Sequence, residues 1–412
     1  MFTFLIILFF LAFSALAWRN LRLACFFILA TLPTFLIRFN IGPIPLTLLE
    51  LMLLVVILVW LIRFRGYQKL TKKFLIPIVI VIIAATISVF VAPDLMTALG
   101  IWKAYFIEPI LFYFVLVSIL ENKKDIRQAI CALGVGALFI SLFAIFQKIT
   151  GLALPVPWDL SRRLTSIFPY PNAVGLYLTP IIVLGSIVLL QAIKKIKPFQ
   201  IIFWSITLVL SILAIIFSET EAAWVAIPAT LWLLSWIPTK LRRWTIPGGI
   251  LILLIIFAVP NISQPLSQKL TLQDYSGQVR LAQWSDTVEF LKDQPIFAAG
   301  LSGYPQAIKP YHSQEHIEIF QYPHNIFLNI WVELGLLGLI ALTWFMFEIL
   351  YRAYVIYQKQ PKQHWIILAC IGALLVMFIH GLVDVPYFKN DLAVLTWIFL
   401  AMITSLTMMK KQ

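Results

Sequence analysis

Only three cysteines occur in 412 residues, and Cys25, Cys131 and Cys370 each stand inside an apolar run. The polar loops therefore have neither a disulfide framework nor a cysteine metal site open to them. Charge is nearly as scarce. Charged residues make up 12% of the chain and apolar residues 61%, against roughly 25% and 45–50% in soluble domains, which excludes an ordinary soluble fold. The chain also lacks a fixed-period repeat and a low-complexity tract, so a single membrane domain with one embedded loop subdomain accounts for it.

What fills the chain is apolar sequence, with a mean hydropathy of +0.95. A bilayer span takes about 20 mostly apolar residues and must satisfy its backbone within a helix. Thirteen runs qualify, centred near Phe9, Ala30, Leu53, Ile83, Phe112, Phe139, Ile182, Leu208, Thr230, Leu254, Ile340, Leu374 and Phe399. A mistaken reading of the first two would make twelve. The fold expected is an all-α polytopic membrane protein of about 12–13 transmembrane helices with one large periplasmic loop subdomain containing short helices. It divides into about ten N-terminal helices (1–260), the loop (261–325) and about three C-terminal helices (326–412).

The formal charge of +13 does not point to nucleic acid, because the basic residues fall in clusters that suit the positive-inside rule. These are Arg63, Arg65, Lys69, Lys72 and Lys73; Lys123, Lys124 and Arg127; Lys194, Lys195 and Lys197; Lys240, Arg242 and Arg243; Arg352, Lys359 and Lys362; and Lys410 and Lys411. Two apolar runs separate each cluster from the next, so all can face the cytoplasm in one topology. The first run carries no charge before Trp18 and has Arg19 and Arg22 after it, the reverse of a cleavable signal peptide, so it is expected to stay attached with an external N-terminus.

That phase collects the 155–172 loop, the 218–221 turn, the 261–325 loop and the 384–390 turn on the opposite, external face. The long loop carries four basic and six acidic residues, opposite in balance to the whole chain. Within it, RLAQWSDTVEFLKD (280–293) spaces Leu281, Trp284, Val288 and Leu291 as one apolar stripe, which predicts an amphipathic helix lying on the membrane surface. The following AAGLSGYPQAI suits a tight turn beneath a ligand or a plain loop. His312-Ser-Gln-Glu-His316 has the spacing of a metallopeptidase motif, but it lies in a loop after Pro310 without a third ligand and reads as a solvated turn, not a metal site. The loop aromatics fit an interfacial belt or sugar stacking.

The richest stretch is PHNIFLNIWVELGLLG (323–338), where the loop re-enters an apolar helix. Asn325 can cap that helix. Glu333 follows about 12 Å deeper by helical rise, and an ionisable group at that depth needs a partner or a wet cavity. Gly335 and Gly338 suit close helix packing. His324, at the mouth, is the side chain that could take a proton at neutral pH.

This pattern resembles the O-antigen ligase and O-antigen polymerase superfamily, membrane glycosyltransferases that use polyprenyl-diphosphate-linked glycans. HNIFLNIWVELGLLG is similar to the family's C-terminal His-Asn, Glu and glycine signature. SRRLTSIFPYPNAVGLYL is similar to its Arg, Phe and Pro-Asn stretch, and GQVRLAQWSDTVEFLKDQPIFAAGLSGY to its loop helix. The resemblance covers roughly Arg162 to the C-terminus. One departure is Glu221, in SETEAAW, where many relatives have an arginine.

The resemblance implies a metal-independent glycosyltransferase of lipopolysaccharide or other cell-envelope polysaccharide synthesis. It would sit in the bacterial cytoplasmic membrane as a multi-pass protein with its active face external. Its partners would be the lipid bilayer, a polyprenyl-diphosphate-linked glycan and an acceptor lipid, glycan or protein, with no cofactor. Ligase and polymerase remain alternatives. His324 would be the catalytic base; Arg280 with Arg162 or Arg163 would bind diphosphate; Asn325, Glu333, Asn172 and Glu221 would support the site or contact substrate. The competing class is a transporter of a small anion or sugar, which should show polar midplane residues in two matching halves. Here the midplane candidates are Glu50, Glu108, Glu333, Glu348 and His380, and no half mirrors the other.

Overall fold

The computed structural model describes residues 2–409 except 43, 64–71, 239–241, 251–267, 269, 270, 315 and 360–363. The span expected near Leu254 lies outside these residues, as does the first part of the long loop. The described chain is 78% helical. It runs α1 (Phe2–Arg19), α2 (Leu21–Ala30), a ribbon of β1 (Arg38–Ile41) and β2 (Ile44–Thr47), α3 (Leu48–Arg63), α4 (Lys72–Val91), α5 (Leu95–Ile101), α6 (Glu108–Ile119) and α7 (Lys123–Thr150). Next come α8 (Trp158–Ser161), α9 (Asn172–Lys194), α10 (Pro198–Phe217), α11 (Glu221–Ser235), the loop helices α12 (Tyr275–Asp293) and α13 (Tyr304–Ala307), then α14 (Ile326–Lys359), α15 (His364–His380) and α16 (Asn390–Met408).

Among the described residues, seven helices are long and apolar enough to cross a bilayer: α4, the α5–α6 unit, α7, α9, α10, α14 and α16. The protein is an all-α polytopic membrane protein, and twelve of the thirteen expected centres fall on helices. The run near Ala30 takes a different form. Asn20 separates α2 from α1 and accepts a cap bond from Leu23 N at 3.0 Å, and Pro33 then enters a tight 3₁₀ turn, Leu32–Leu36. The chain leaves that turn as the β1–β2 ribbon, paired Arg38↔Thr47 to Ile41↔Ile44.

Helices α9 and α16 are buried almost throughout and form the centre. Around them, large side chains such as Leu11, Phe90, Phe139 and Phe347 face outward, an apolar belt that belongs against lipid. At one end of the bundle Arg22 meets Asp125 at 2.9 Å and Arg63 binds the Trp18 carbonyl. The opposite end carries the ribbon, the 151–171 segment, the α10–α11 turn, the loop and the α15–α16 turn. Two acids inside the helices are paired there and deeper: Lys103 lies 3.1 Å from Glu50 and 3.9 Å from Glu108, on a π-helical turn, Trp102–Ile107.

The loop inserts into the bundle. Its residues Phe290, Leu291, Ala298, Ala299, Tyr304 and Ile308 pack with Val332 of α14 as one small core. At Gly335, φ +68° and ψ −177° break α14, and Leu336 N donates to the Ile296 carbonyl at 3.0 Å while Ala299 N donates to the Val332 carbonyl at 3.0 Å. A Cβ at Gly335 would meet the Ile296 oxygen at 2.3 Å, so glycine is required both for the backbone angle and for the approach.

Candidate functional site

Four consecutive backbone positions organise the polar end. The turn after α15 offers the Gly381 carbonyl to Ile326 N at 2.7 Å, the Leu382 carbonyl to Asn325 Nδ2 at 3.0 Å, and the Val383 carbonyl to Arg280 Nε at 2.9 Å. Asp384 completes it, with Oδ1 3.5 Å from His324 Nδ1. Three residues singled out in the sequence, Arg280, His324 and Asn325, therefore meet on one turn.

Local sequence explains how each arrives. Asn325 caps α14, its Oδ1 accepting from Phe327 N at 3.0 Å and Leu328 N at 3.2 Å. His324, just before the cap, has φ +48°, a left-handed conformation that is uncommon outside glycine and worth attention near a site. Trp284 of α12 donates to the Pro323 carbonyl at 2.8 Å, and Tyr322 donates to the Phe388 carbonyl at 3.1 Å. The Phe320 ring stands edge-on to the imidazole at 5.4 Å. A quarter of the His324 side chain stays exposed, whereas Asp384 is buried. Burial pushes the Asp384 carboxyl up, but the His324 ring and the charges of His324 and His380 outweigh it and hold the group below its ordinary value.

A second group forms around the α10–α11 turn. Arg163 Nε donates to the Ser218 carbonyl at 2.7 Å, and its Nη2 reaches Asn172 Oδ1 at 3.0 Å and the Glu219 carbonyl at 3.1 Å. Burial lowers the Arg163 pKa despite the Glu219 charge. Arg162 is exposed at the end of α8 with φ +51°, and Glu221 opens α11. Arg163 and Asn172 thus share one cluster with the 218–219 backbone, while Arg280 and His324 share another.

Lys389, which the sequence reading passed over, stands between them. Its ammonium lies 4.4 Å from the Phe168 ring centre, 5.3 Å from Phe35 and 5.9 Å from Tyr170, with Asp391 at 3.4 Å. Burial lowers the Lys389 pKa, and Asp391 and Asp384 oppose that fall. Neither Lys389 Nζ nor Asp391 Oδ2 has a hydrogen-bond partner among the described residues. Desolvation and, behind it, the charges of Asp384 and Asp391 push the Tyr170 hydroxyl upward, so this aromatic cradle adjoins the His324 turn. The lysine two residues before Asp391 in the PYFKND turn was the available signal.

Glu333 lies on the unbroken first stretch of α14, two residues before the break, and its carboxylate accepts the Ser302 backbone N–H of the inserted loop at 2.6 Å. Two expectations need correction. Gly335 serves loop docking, not helix packing. Helix α12 exists but begins at Tyr275, and the expected stripe is split: Leu291 is buried with Val279, Ala282, Gln283, Asp286 and Phe290, while Leu281 and Val288 point outward. Asp286 and Thr287, buried on that face, have partners that composition cannot show. Asp286 accepts from Ser313 Oγ at 2.7 Å and lies 3.4 Å from His312 Nδ1, so His312 and Ser313 are tied to α12. Among the described residues no group of side chains is arranged to hold a metal ion.

The fold and this polar rim define a multi-pass membrane protein with a loop subdomain seated on one end. The family model described as O-antigen ligase matches residues 206–343, which bears out the resemblance to the O-antigen ligase superfamily. At that level it supports a ligase- or polymerase-like membrane glycosyltransferase with lipid-linked glycan substrates. The matched stretch runs from α10 through the loop into α14, taking in Glu221, Arg280, His324, Asn325 and Glu333 and leaving out Arg162, Arg163, Asn172, Asp384 and Lys389. None of the curated proteins matches the chain.

Proposed function

We propose that the protein transfers a glycan from a polyprenyl-diphosphate carrier to an acceptor hydroxyl, without a metal ion, at the external face of a bacterial cytoplasmic membrane. The observation that carries this reading is the 381–384 turn, which binds Arg280 and Asn325 and faces His324 with Asp384. Asp384 orients the imidazole through Nδ1 and leaves Nε2 to take the acceptor proton. As that proton leaves, the acceptor oxygen bonds to the anomeric carbon and the bond from that carbon to the diphosphate oxygen breaks, its electron pair departing with the carrier. Charge then grows on the diphosphate, where Arg280, whose Nε bond fixes the guanidinium plane, and Lys389 stabilise it. A diphosphate is already a good leaving group, so cationic side chains suffice.

Arg163 shapes the rim from the α10–α11 side together with Asn172, and Arg162 and Glu221 stand where a sugar chain would pass. Glu333 acts by fixing the loop. An apolar cavity of about 340 Å³ opens beside the site, lined by Ile326, Phe327, Met346, Phe378, Tyr387 and Trp397 among others. It starts two residues from His324 and runs between α14, α15 and α16, which suits the carrier's hydrocarbon chain.

The test is product formation by purified protein from a polyprenyl-diphosphate oligosaccharide with lipid, glycan and protein acceptors, in the presence of a chelator. Wild type should be active, and His324→Gln should lose about 10²- to 10⁴-fold, the usual worth of general-base catalysis. Undiminished transfer by His324→Gln, or a strict need for a divalent ion, would overturn the reading.

A further inference from the structure

The far end of the bundle, opposite His324, holds a second cavity. It measures about 110 Å³ and lies between α7, α9, α10 and α15, with Arg127, Lys195 and Lys197 on its wall and no acidic residue among those lining it. Arg127 is spread over the Trp365 ring at 5.4 Å, and its Nε is buried without a hydrogen-bond partner among the described residues. A buried guanidinium N–H left unsatisfied costs free energy that a ligand oxygen would return. Helix α10 also begins here, at Pro198, with no side-chain cap, and its first residues Phe199 and Gln200 line the space. Its uncapped N–H groups and positive dipole end add to the three cations.

We infer that this cavity binds the phosphodiester of an anionic phospholipid from the surrounding bilayer. Its shape and surroundings favour a lipid over free phosphate. Cys131 lines the cavity and heads an outward-facing stripe on α7, continued by Val135, Phe139 and Leu142. On α10, Phe199, Ile202, Ile206 and Val209 form a matching exposed stripe. The cavity therefore opens sideways between two lipid-facing surfaces, so a headgroup can enter while its acyl chains stay in the hydrocarbon. The volume takes a phosphate, not a nucleotide.

The experiment uses the full chain in detergent micelles with three probes: phosphatidylglycerol, phosphatidylcholine and inorganic phosphate. Native mass spectrometry should show phosphatidylglycerol retained in preference to phosphatidylcholine, which shares the phosphodiester but has no net charge. Arg127→Gln and, separately, Lys195→Gln with Lys197→Gln should weaken retention about fivefold per cation removed, equivalent to about 1 kcal/mol each. Lys359→Gln, which lies outside the cavity, should change nothing. The lysine pair is exposed, so it tests the site even if Arg127→Gln fails to fold. Cys25 and Cys370 are buried, so maleimide labelling reports Cys131, which phosphatidylglycerol should protect. Equal retention of the two lipids, retention unaffected by the variants, or equal protection by inorganic phosphate would overturn the proposal.

Discussion

Arg280 donates from Nε to the Val383 carbonyl at 2.9 Å, which ties the loop helix to the residue next to Asp384. A lysine cannot make that bond and present a planar cation at once. Arg280→Lys should therefore cut transfer by about ten- to a hundredfold, the equivalent of a charge-assisted hydrogen bond of roughly 1.5–3 kcal/mol. Rates from a polyprenyl-diphosphate oligosaccharide check this, and a lysine variant at wild-type rate would show that the guanidinium plane is unimportant.

Asp384 gives a pH signature in stability. Its folded pKa lies below the ordinary 3.8, so its contribution is present above that value and is lost as pH falls through the lower folded value. The difference in Tm between wild type and Asp384→Asn should shrink as pH falls below about 3.8. Thermal unfolding in detergent across that range measures it. A gap that grew on acidification would have the wrong sign.

Gly335→Ala should detach the loop. The left-handed backbone alone costs at least about 1 to 3 kcal/mol, and the new methyl would meet the Ile296 oxygen at 2.3 Å. Limited proteolysis should show new cleavage within 294–303 and the Tm should fall. Unchanged protection of that segment would mean that the break in α14 is not what seats it.

Lys389 can be separated from its structural part. Lys389→Met alone strands Asp391 as a buried charge, a loss of about 3–5 kcal/mol. Combining it with Asp391→Asn removes both charges and keeps the stem among Phe35, Phe168 and Tyr170. The double variant should fold yet transfer more than about tenfold more slowly, matching a lost contact of roughly 1.4 kcal/mol or more to the leaving phosphate. Near-normal turnover would confine the lysine to packing.

Much of the scaffold was legible because hydropathy is a sum over about twenty residues and tolerates local noise. The capping amide of Asn325 was readable for a similar reason, since its bonds are to residues two and three positions away. What the sequence hid depends on distant partners. The Arg280 bond to Val383 spans 103 residues, and the break at Gly335 is set by a carbonyl at Ile296. The stripe on α12 misled because Asp286 and Thr287 are buried with polar partners, so polarity did not mark the outer face. Lys389 escaped notice because one lysine in a short turn has no meaning until Phe35 and Phe168 arrive from two other segments.

The seat at Gly335 also constrains how such proteins can be re-engineered. Residues 294–303 and 333–336 interlock, through the Ile296 carbonyl on Leu336 and the Ser302 amide on Glu333. A chimera that exchanges the loop alone inherits a plug without its socket, and only transplants that carry both pieces together should keep the foreign loop in place.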